Sequence, residues 1–409
     1  MKAISIIRTL LLLLISGAVL SCSQVGNTLP EDNWDPAVHA ALTKMIAEYG
    51  KDSQSYDEKC KPYAVFDYDN TTIIGDIALT TMVHQIETMD FLFTPENIYG
   101  TLTFCIPDID RALEYSDPSI SFTARELALD LQKDYALIME RYFDGRESPD
   151  LQAMHQSEEY LDFRAKMWGL SLGVDNTFDA ATGCVWINTL FDGMTGEDLR
   201  LLVRRNLDVA TAEKGVTMED WVSPDGKMKV SVSKGLHLPQ ESVHLYNTLR
   251  DNGFDVYICS ASLEQLVESM ACDPQWGLGM DPDHVFGIRL APSPDGKIRA
   301  VGDSTYVQTY REGKTACIKN LIAPAHGGNG PAFVAGDSNG DYSMLTSFPD
   351  MKVGLILDVP RSGGIQHLKE EASTIRNQVL DGTAEYPLYV VQGRDDSSMT
   401  YIKSDRSKR

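Results

Sequence analysis

Five short apolar segments run without interruption in this 409-residue chain, and most of them stop abruptly at a carboxylate or a hydroxyl. They span residues 62–67, 255–260, 284–290, 331–337 and 351–358. Such runs are typical of strands buried on both faces. Helical patterns follow most of them, for instance at 262–270, where Ser262 and Gln265 have the spacing of a capping box. Strands that alternate with helices predict a parallel sheet, in which ligands bind beyond the carboxyl ends of the strands.

The alternation disappears between residue 76 and about residue 239, where the sequence becomes mainly helical with aromatic-rich pieces. We interpret this stretch as a second domain inserted into the first, which the chain length allows. The predicted layout is a leader at 1–21, a linker at 22–33, an α/β core formed by 34–76 and 240–403, and a helical insert at 77–239.

The first residues have the pattern of a secretory signal peptide, because Lys2 and Arg8 accompany an apolar run at 10–15 that is followed by small residues. The run is too short to form a stable transmembrane helix. The tetrapeptide VLSC at 19–22 resembles the bacterial lipoprotein box, which implies that Cys22 carries a lipid. An exported bacterial lipoprotein, anchored to a membrane and facing the periplasm, is therefore expected; a plain secretory signal with a coincidental cysteine is the alternative.

Composition excludes two other classes of protein. The chain carries 59 acidic and 36 basic residues, a net charge of −23. Nucleic acid is thus not an expected partner, since phosphate backbones are bound by basic surfaces. The cysteines after Cys22 are far apart, which argues against a zinc site, and no particular disulfide is predicted.

Two carboxylates, Asp67 and Asp69, lie just after the first apolar segment in the sequence DYDNT. By themselves they fit an acidic turn as well as a functional site. Three further polar elements follow in chain order, at the ends of later segments or just after them. They are Ser260, Lys314, and the acidic pair Asp337 and Asp341 of GDSNGD.

As a set, these pieces resemble the four motifs of the haloacid dehalogenase superfamily, namely DxDxT, a strand-terminal Ser or Thr, a Lys, and GDxxxD. The resemblance implies a Rossmann-like, three-layer α/β/α core with a parallel sheet. It also implies that the insert is a cap that determines substrate specificity. The expected activity is hydrolysis of a small phosphorylated metabolite through an aspartyl-phosphate intermediate, with Mg²⁺ as cofactor.

The resemblance assigns the reacting groups. Asp67 would be the nucleophile, and Asp69 would protonate the leaving group and later accept a proton from water. Mg²⁺ would be held by the Asp67 carboxylate, the Asp69 backbone carbonyl and Asp337. Lys314 would supply a second positive charge, although a solvated helix residue is the ordinary alternative for a lysine.

Supporting roles follow from the same resemblance. Thr71 and Ser260 would hydrogen-bond the phosphate oxygens, Asn70 would steady the loop, and Asp341 would orient Lys314 or a metal-bound water. Ser260 as the cap of the next turn and Asp341 as a helix N-cap are the structural alternatives.

A narrower resemblance, to phosphocholine phosphatases of the bacterial periplasm, extends beyond the motifs. Its residues are WDP at 34–36, DNT at 69–71, NGFDVYICSAS at 252–262 and QGRD at 392–395. It covers about two thirds of the chain after the leader and is weakest in the insert.

A choline head group would require an aromatic cage or a carboxylate, because a quaternary ammonium offers no hydrogen bonds. The candidates in the insert are Trp168, Trp186 and Trp221, although tryptophans are also common core residues. Asp76 lies where phosphoserine phosphatases carry a Glu that meets the substrate amino group. The apolar sequence IAL at 77–79 lacks an acid expected of the phosphocholine enzymes, which leaves phosphoethanolamine, phosphoserine or another small phosphomonoester open.

Two other functions remain alternatives. A phosphotransferase would pass the phosphoryl group to an alcohol instead of water. A lipoprotein that only binds a phosphorylated ligand would be expected to lack Asp67 or Asp69, and both are present.

Overall fold

The computed structural model describes residues 28–144 and 149–408. The predicted leader and Cys22 lie outside these residues. The strands are β1 (Tyr63–Phe66), β2 (Thr217–Val222), β3 (Lys229–Lys234), β4 (Asp255–Leu263), β5 (Val285–Ile288), β6 (Phe333–Gly336), β7 (Val353–Leu357), β8 (Leu388–Gln392), β9 (Arg394–Asp395) and β10 (Thr400–Tyr401).

A six-stranded sheet in the order β5-β4-β1-β6-β7-β8 forms the centre of the core, and every neighbouring pair in it is parallel. All five segments predicted as strands belong to this sheet. The sixth strand, β8, was not predicted, although its sequence LYVVQ is also a short apolar run.

Both faces of the sheet are covered by other parts of the chain, because alternate side chains of β1 pack into two different apolar clusters. Ala64 and Phe66 pack into one apolar cluster with helix residues, whereas Tyr63 and Val65 pack into a second cluster on the opposite face. This arrangement confirms the predicted three-layer α/β/α fold, because a sheet with two apolar faces requires helices on each.

The helices are α1 (Pro36–Tyr49), α2 (Ile77–Thr88), α3 (Ile98–Thr103), α4 (Ala124–Ile138), α5 (Leu151–His155), α6 (Glu158–Thr177), α7 (Ala180–Trp186), α8 (Gly196–Ala210), α9 (Gln240–Asp251), α10 (Glu264–Ala271), α11 (Glu312–Cys317), α12 (Tyr342–Thr346) and α13 (Gly364–Leu380). Within the two described ranges, no helix is both long and apolar enough to cross a membrane.

Most of the insert has an apolar core of its own. Helices α2 to α7 contribute to it, together with the antiparallel hairpin of β2 and β3, which the sequence did not predict. Trp221 of β2 is fully buried there and stacks edge-on against Trp168 of α6 at 6.0 Å between ring centroids.

Helix α8 departs from the predicted division of the chain. Its apolar residues Leu199, Leu202, Val203 and Leu207 fall on one face at helical spacing, and they pack into the cluster of the α/β core rather than into that of the insert. Just before α8, Gly193 donates a backbone hydrogen bond to Ile298 in the loop after β5. The insert is therefore joined to the core by a shared apolar cluster as well as by its two chain connections.

A buried ionic cluster links α4 and α6 inside the insert. The Lys166 ammonium, 5% exposed, lies 2.6 Å from carboxylate oxygens of both Asp130 and Asp162. Asp134 is also buried, one of its oxygens has no hydrogen-bond partner, and burial together with Asp162 raises its pKa to about 8. Asp134 is thus protonated in the folded protein at neutral pH.

Asp134→Asn is expected to flatten the pH dependence of stability. A raised pKa in the folded state means that this group's stabilising contribution is complete below about pH 4 and is lost as the pH rises through about 8. The substitution should raise the free energy of unfolding by about 1 kcal/mol at pH 8 to 9, because an amide can donate to Asp162 without a charge. Urea unfolding at several pH values measures this, and parallel curves for the two proteins would contradict it.

Candidate active site

The floor of the site lies where two neighbouring strands end. Asp67 follows β1 and Asp337 follows β6, so the parallel pairing of these strands brings the two carboxylates together. Asp341 joins them from the turn before α12, and oxygens of the three carboxylates lie within 4.8 Å of one another. Burial is the main cause that raises the pKa of Asp67 to about 7 and that of Asp337 to about 6, and the charge of Asp341 adds to both shifts.

Lys314 of α11 is the cation inside this group. Its ammonium is 1% exposed and lies 2.6 Å from an oxygen of Asp67 and 2.6 Å from an oxygen of Asp341. Burial lowers the pKa of Lys314, but Asp341 and Asp67 outweigh it and raise that pKa overall. Lys314 is therefore a buried, charged group, and the solvated alternative does not apply.

Asp341 has both carboxylate oxygens engaged. One accepts from Lys314, and the other accepts from the backbone N–H groups of Asp337 and Ser338 at 3.0 Å each. The residue does precede α12, but its side chain makes no capping bond to that helix. Its contacts fit the orientation of Lys314 and of the Asp337 loop.

Asp69 faces the site from the loop after β1. One of its oxygens accepts from the Ser262 hydroxyl at 2.6 Å, and the other accepts from the backbone N–H of Ile77 at 2.7 Å. Burial raises the pKa of Asp69 well above its usual range, and Asp76 adds to this. A carboxyl whose pKa is raised by burial is suited to act as a general acid.

Sequence reasoning missed Ser262. It predicted this residue as the cap of a helix, but β4 continues to Leu263 and α10 begins at Glu264 without a side-chain cap. The extended backbone points the Ser262 hydroxyl at Asp69 instead.

Ser262→Ala is expected to lower kcat about tenfold, because loss of this hydrogen bond leaves the Asp69 carboxyl less well oriented. Ser269→Ala on α10 is the matched control and should leave kcat unchanged. The effect is measured as the steady-state rate on a substrate that the parent chain converts. An unchanged kcat in Ser262→Ala would show that Ile77 alone suffices to hold Asp69.

Two residues predicted to bind phosphate have other contacts. The Thr71 hydroxyl donates to a carboxylate oxygen of Asp67 at 3.2 Å, so it supports the nucleophile candidate. Ser260 is fully buried, and its hydroxyl oxygen accepts the backbone N–H of Ser262. Neither side chain lines the cavity, whereas Ala261 and Ser262 do. Asn70 adopts a left-handed conformation (φ 57°) and accepts from Arg394 at 3.1 Å, in agreement with a loop-steadying role.

A cavity of about 300 Å³ lies above the carboxylates, between the core and the insert. The insert contributes Leu172 and Asp175 of α6, Cys184 of α7, and Ile187. Asp76, the N-cap of α2, lies on the same wall. Burial raises the pKa of Asp76, and the charge of Asp175, which lines the same cavity, adds to this shift.

Arg361 and Asp175 are cavity residues that the sequence did not single out. Arg361 follows β7 and donates to Asp337 at 3.2 Å. Because Arg361 lies shortly after an apolar run, the sequence could have identified it as a candidate site residue. Asp175, by contrast, lies within a long helix whose sequence pattern gives no sign of a site.

The expected tryptophan cage is not formed. Trp168, Trp186 and Trp221 are all at most 3% exposed, belong to the apolar core of the insert, and do not line the cavity. The indole N–H of Trp186 donates to the backbone of Leu102. These tryptophans are therefore packing residues, because bulky apolar rings lower the free energy most when they are removed from water.

The cluster of three carboxylates on the floor of the site fits a divalent cation. Asp67, Asp337 and Asp341 are all buried and close together, and oxygen ligands of this kind are those that Mg²⁺ prefers. Asp67 and Asp337 line the cavity, whereas Asp341 is fully buried behind it, so Asp67 and Asp337 are the side chains best placed to hold the metal.

Comparisons with known proteins gave a limited set of matches. No protein-family model matches the chain. A segment of 44 residues is 46% identical to part of the phosphorylcholine phosphatase of Pseudomonas aeruginosa. The matched segment makes up 11% of this chain and 13% of that protein. The chain thus spans about an eighth of the length of the curated relative that it matches.

Solved structures match over more of the chain. A conserved protein of unknown function from Anaerococcus prevotii superposes with a TM-score of 0.81 and 27% identity, over 94% of this chain and 99% of that one. A phosphoserine phosphohydrolase-like protein from Francisella tularensis matches with a TM-score of 0.32 and 11% identity, over 73% and 87% of the two chains. The sequence match supports a relationship to phosphatases, and it is too short to give a substrate.

Proposed function

We propose that this protein is a Mg²⁺-dependent phosphomonoesterase that works through phosphorylation of Asp67. The observation that carries the proposal is the position of the Asp67 carboxylate, held between a buried Lys314 and Thr71 on the floor of the cavity. Asp69, whose pKa is raised, stands in the same cavity. A nucleophile, a proton donor and a fixed positive charge are the groups that phosphoryl transfer requires.

In the first half of the reaction, an oxygen of Asp67 bonds to phosphorus while the bond from phosphorus to the leaving oxygen breaks. Asp69 gives its proton to that oxygen and becomes a carboxylate. In the second half, a water oxygen bonds to phosphorus while the bond from phosphorus to Asp67 breaks, Asp69 takes a proton of this water, and inorganic phosphate is released. Lys314 offsets the negative charge that builds up, and bound Mg²⁺ would supply further positive charge to the phosphate oxygens.

The cavity favours a small substrate with a positively charged head group. Asp76 and Asp175 both line the cavity, and their carboxylates would attract an ammonium. The apolar side chains of Leu79, Leu172 and Ile187 nearby would suit a methylated or short alkyl group. Phosphocholine and phosphoethanolamine are thus the first candidates. Phosphoserine is a further candidate substrate, because the Arg361 guanidinium could pair with its carboxylate.

The test is phosphate release from a panel of phosphocholine, phosphoethanolamine, phosphoserine, sugar phosphates and nucleotides, with Mg²⁺ or with a chelator. Release that requires Mg²⁺ would support the proposal and name the substrate class. Binding of a phosphorylated compound without release would favour the ligand-binding alternative. An alkyl phosphate formed in the presence of an added alcohol would favour the phosphotransferase alternative.

Asp175→Asn separates head-group binding from chemistry. The substitution is expected to raise KM for an amine-bearing substrate about tenfold and to leave kcat nearly unchanged, because Asp175 makes no hydrogen bond to Asp67 or Asp69 in the described structure. A substrate without an amine, such as p-nitrophenyl phosphate, serves as the control and should lose no activity. Equal losses on both substrates would count against a head-group role.

The cellular site belongs to the proposal as well. An exported lipoprotein with lipid on Cys22 would place this activity outside the cytoplasm, facing the periplasm. Metabolic labelling with a fatty acid in a bacterial host, compared between the full chain and Cys22→Ala, tests it. Equal labelling of both proteins would contradict it.

A further inference from the structure

Two basic side chains contact the carboxylates on the floor of the site, and they are held in different ways. Lys314 is 1% exposed and lies 2.6 Å from oxygens of both Asp67 and Asp341. Arg361 reaches Asp337 through one nitrogen, Nη2, at 3.2 Å, and 42% of its side chain is exposed. Charge-assisted contacts of full strength measure about 2.7–2.9 Å. The lysine is therefore a fixed cation, and the arginine is a loosely held one.

Arg376 shows the stronger geometry within the same chain. Two nitrogens of its guanidinium donate to the two oxygens of Asp35 at 2.7 Å each, and the Asp35 side chain is fully buried. Such a bidentate pair adds energy and fixes direction. Arg361 makes a single hydrogen bond within the described ranges, which leaves most N–H donors of its guanidinium without a protein partner. A stronger ligand of Asp337 can therefore replace it.

The backbone on both sides of Arg361 is fixed. Before it, the Lys369 ammonium donates to the carbonyl of Val359 at 2.6 Å. After it, the Asn339 amide donates to the carbonyl of Ser362 at 2.6 Å, which ties this loop to the turn that follows β6. The Arg361 side chain lines the cavity above the floor. It can thus turn within the site while its loop stays in place.

A divalent cation and the Arg361 guanidinium would compete for Asp337. This carboxylate follows β6 and lines the cavity, and together with Asp67 it is best placed to hold Mg²⁺. A divalent ion binds carboxylate oxygens closely and carries twice the charge of a guanidinium, so it can replace one exposed hydrogen bond. Two cations on one carboxylate also repel each other. Metal binding would therefore release the guanidinium into the cavity.

We propose that Arg361 couples metal binding to phosphate binding. It neutralises Asp337 when no metal is bound, and it turns to an anionic oxygen of the ligand once a divalent cation has taken its place. The phosphoryl group, which every candidate substrate carries, is the first such anion, because a guanidinium matches its oxygens. The inference rests on the proposed function in taking Asp337 as a metal ligand, but it does not require turnover.

The test compares the parent chain with Arg361→Gln by isothermal titration calorimetry, with Mg²⁺ alone and then with inorganic phosphate at saturating Mg²⁺. The variant is expected to bind Mg²⁺ about tenfold more tightly, because Asp337 has lost its competing partner. It is expected to bind phosphate about tenfold more weakly, because a charge-assisted hydrogen bond is missing. A damaged fold would weaken both affinities, so the opposite signs are specific to this role.

Two further variants separate the charge of Arg361 from general effects. Arg361→Lys keeps a positive charge beside Asp337, so its Mg²⁺ affinity should lie closer to that of the parent chain than to that of Arg361→Gln. Arg200→Gln removes an exposed arginine of α8 that pairs with Glu197, and it should change neither affinity. An equal gain of Mg²⁺ affinity in Arg200→Gln would assign the effect to net charge and overturn the proposal.

The outcomes also separate this inference from the proposed function. Unchanged or weaker Mg²⁺ binding in Arg361→Gln would overturn the inference, and so would tighter Mg²⁺ binding with unchanged phosphate binding. Neither result would bear on the phosphatase activity, which is measured by phosphate release. Absence of Mg²⁺ binding to the parent chain would overturn the inference together with the proposed metal dependence.

Discussion

Asp67→Asn is expected to reduce phosphate release at least about 10³-fold, because an amide oxygen cannot serve as the attacking group that the carboxylate provides. The substitution keeps the shape of the side chain: its amide oxygen can still accept from Lys314, and the Thr71 hydroxyl can rotate to accept from the amide NH2. The variant should therefore fold normally. Initial rates with a substrate found in the panel measure the loss.

Two controls make this result specific. Asp52→Asn changes an exposed carboxylate and should leave the rate unchanged. Acid quenching during turnover should trap a phosphorylated protein in the parent chain, with the phosphate on the peptide that contains Asp67, and none in Asp67→Asn. Full activity of the variant would exclude Asp67 as the nucleophile, and a phosphopeptide from another region would identify the true one.

Lys314→Met is expected to lower the free energy of unfolding by about 3–5 kcal/mol. The methionine fills most of the space of the lysine stem but removes the one charge that both Asp67 and Asp341 contact. Two buried carboxylates would then face each other without a cation, which is far less favourable than the paired state. Urea unfolding at neutral pH without divalent cations measures the change.

Lys319→Met, on the same helical segment but exposed, is the matched control and should change stability by less than about 1 kcal/mol. The double variant Lys314→Met with Asp341→Asn should recover part of the loss, because it removes one of the stranded charges. If the single variant were as stable as the parent chain, the lysine and the carboxylates would not form a strongly coupled group.

The sequence located the floor of the site because topology does the work there. The carboxyl ends of parallel strands lie at one edge of a sheet, so the apolar runs placed Asp67 and Asp337 at that edge, and the resemblance of the motifs assigned both to one site. The same rule could have supplied β8 and Arg361, which lie in or just after short apolar runs.

Other contacts depend on geometry that a single sequence does not carry. Whether a serine after a strand caps a helix or points into a cavity depends on where the strand stops, and β4 continues past Ser262. Asp175 and Asp76 line one cavity because α6 packs against α2 within the insert. The tryptophans were candidates for a cage around a quaternary ammonium, but they lie in the apolar core of the insert, where their burial stabilises the fold.

The sharing of α8 between insert and core limits how a ligand can reach the carboxylates. If the whole insert swung away about its two chain connections, Leu202 and Leu207 would be pulled out of the core cluster and the backbone contact between Gly193 and Ile298 would break. Bending at the turn between α6 and α7 would uncover Asp175 and Cys184 while leaving α8 in place. For the same reason, a chain shortened by removing residues 77–239 would lose one wall of its own core, so the insert is not a module that can be detached or exchanged as a unit.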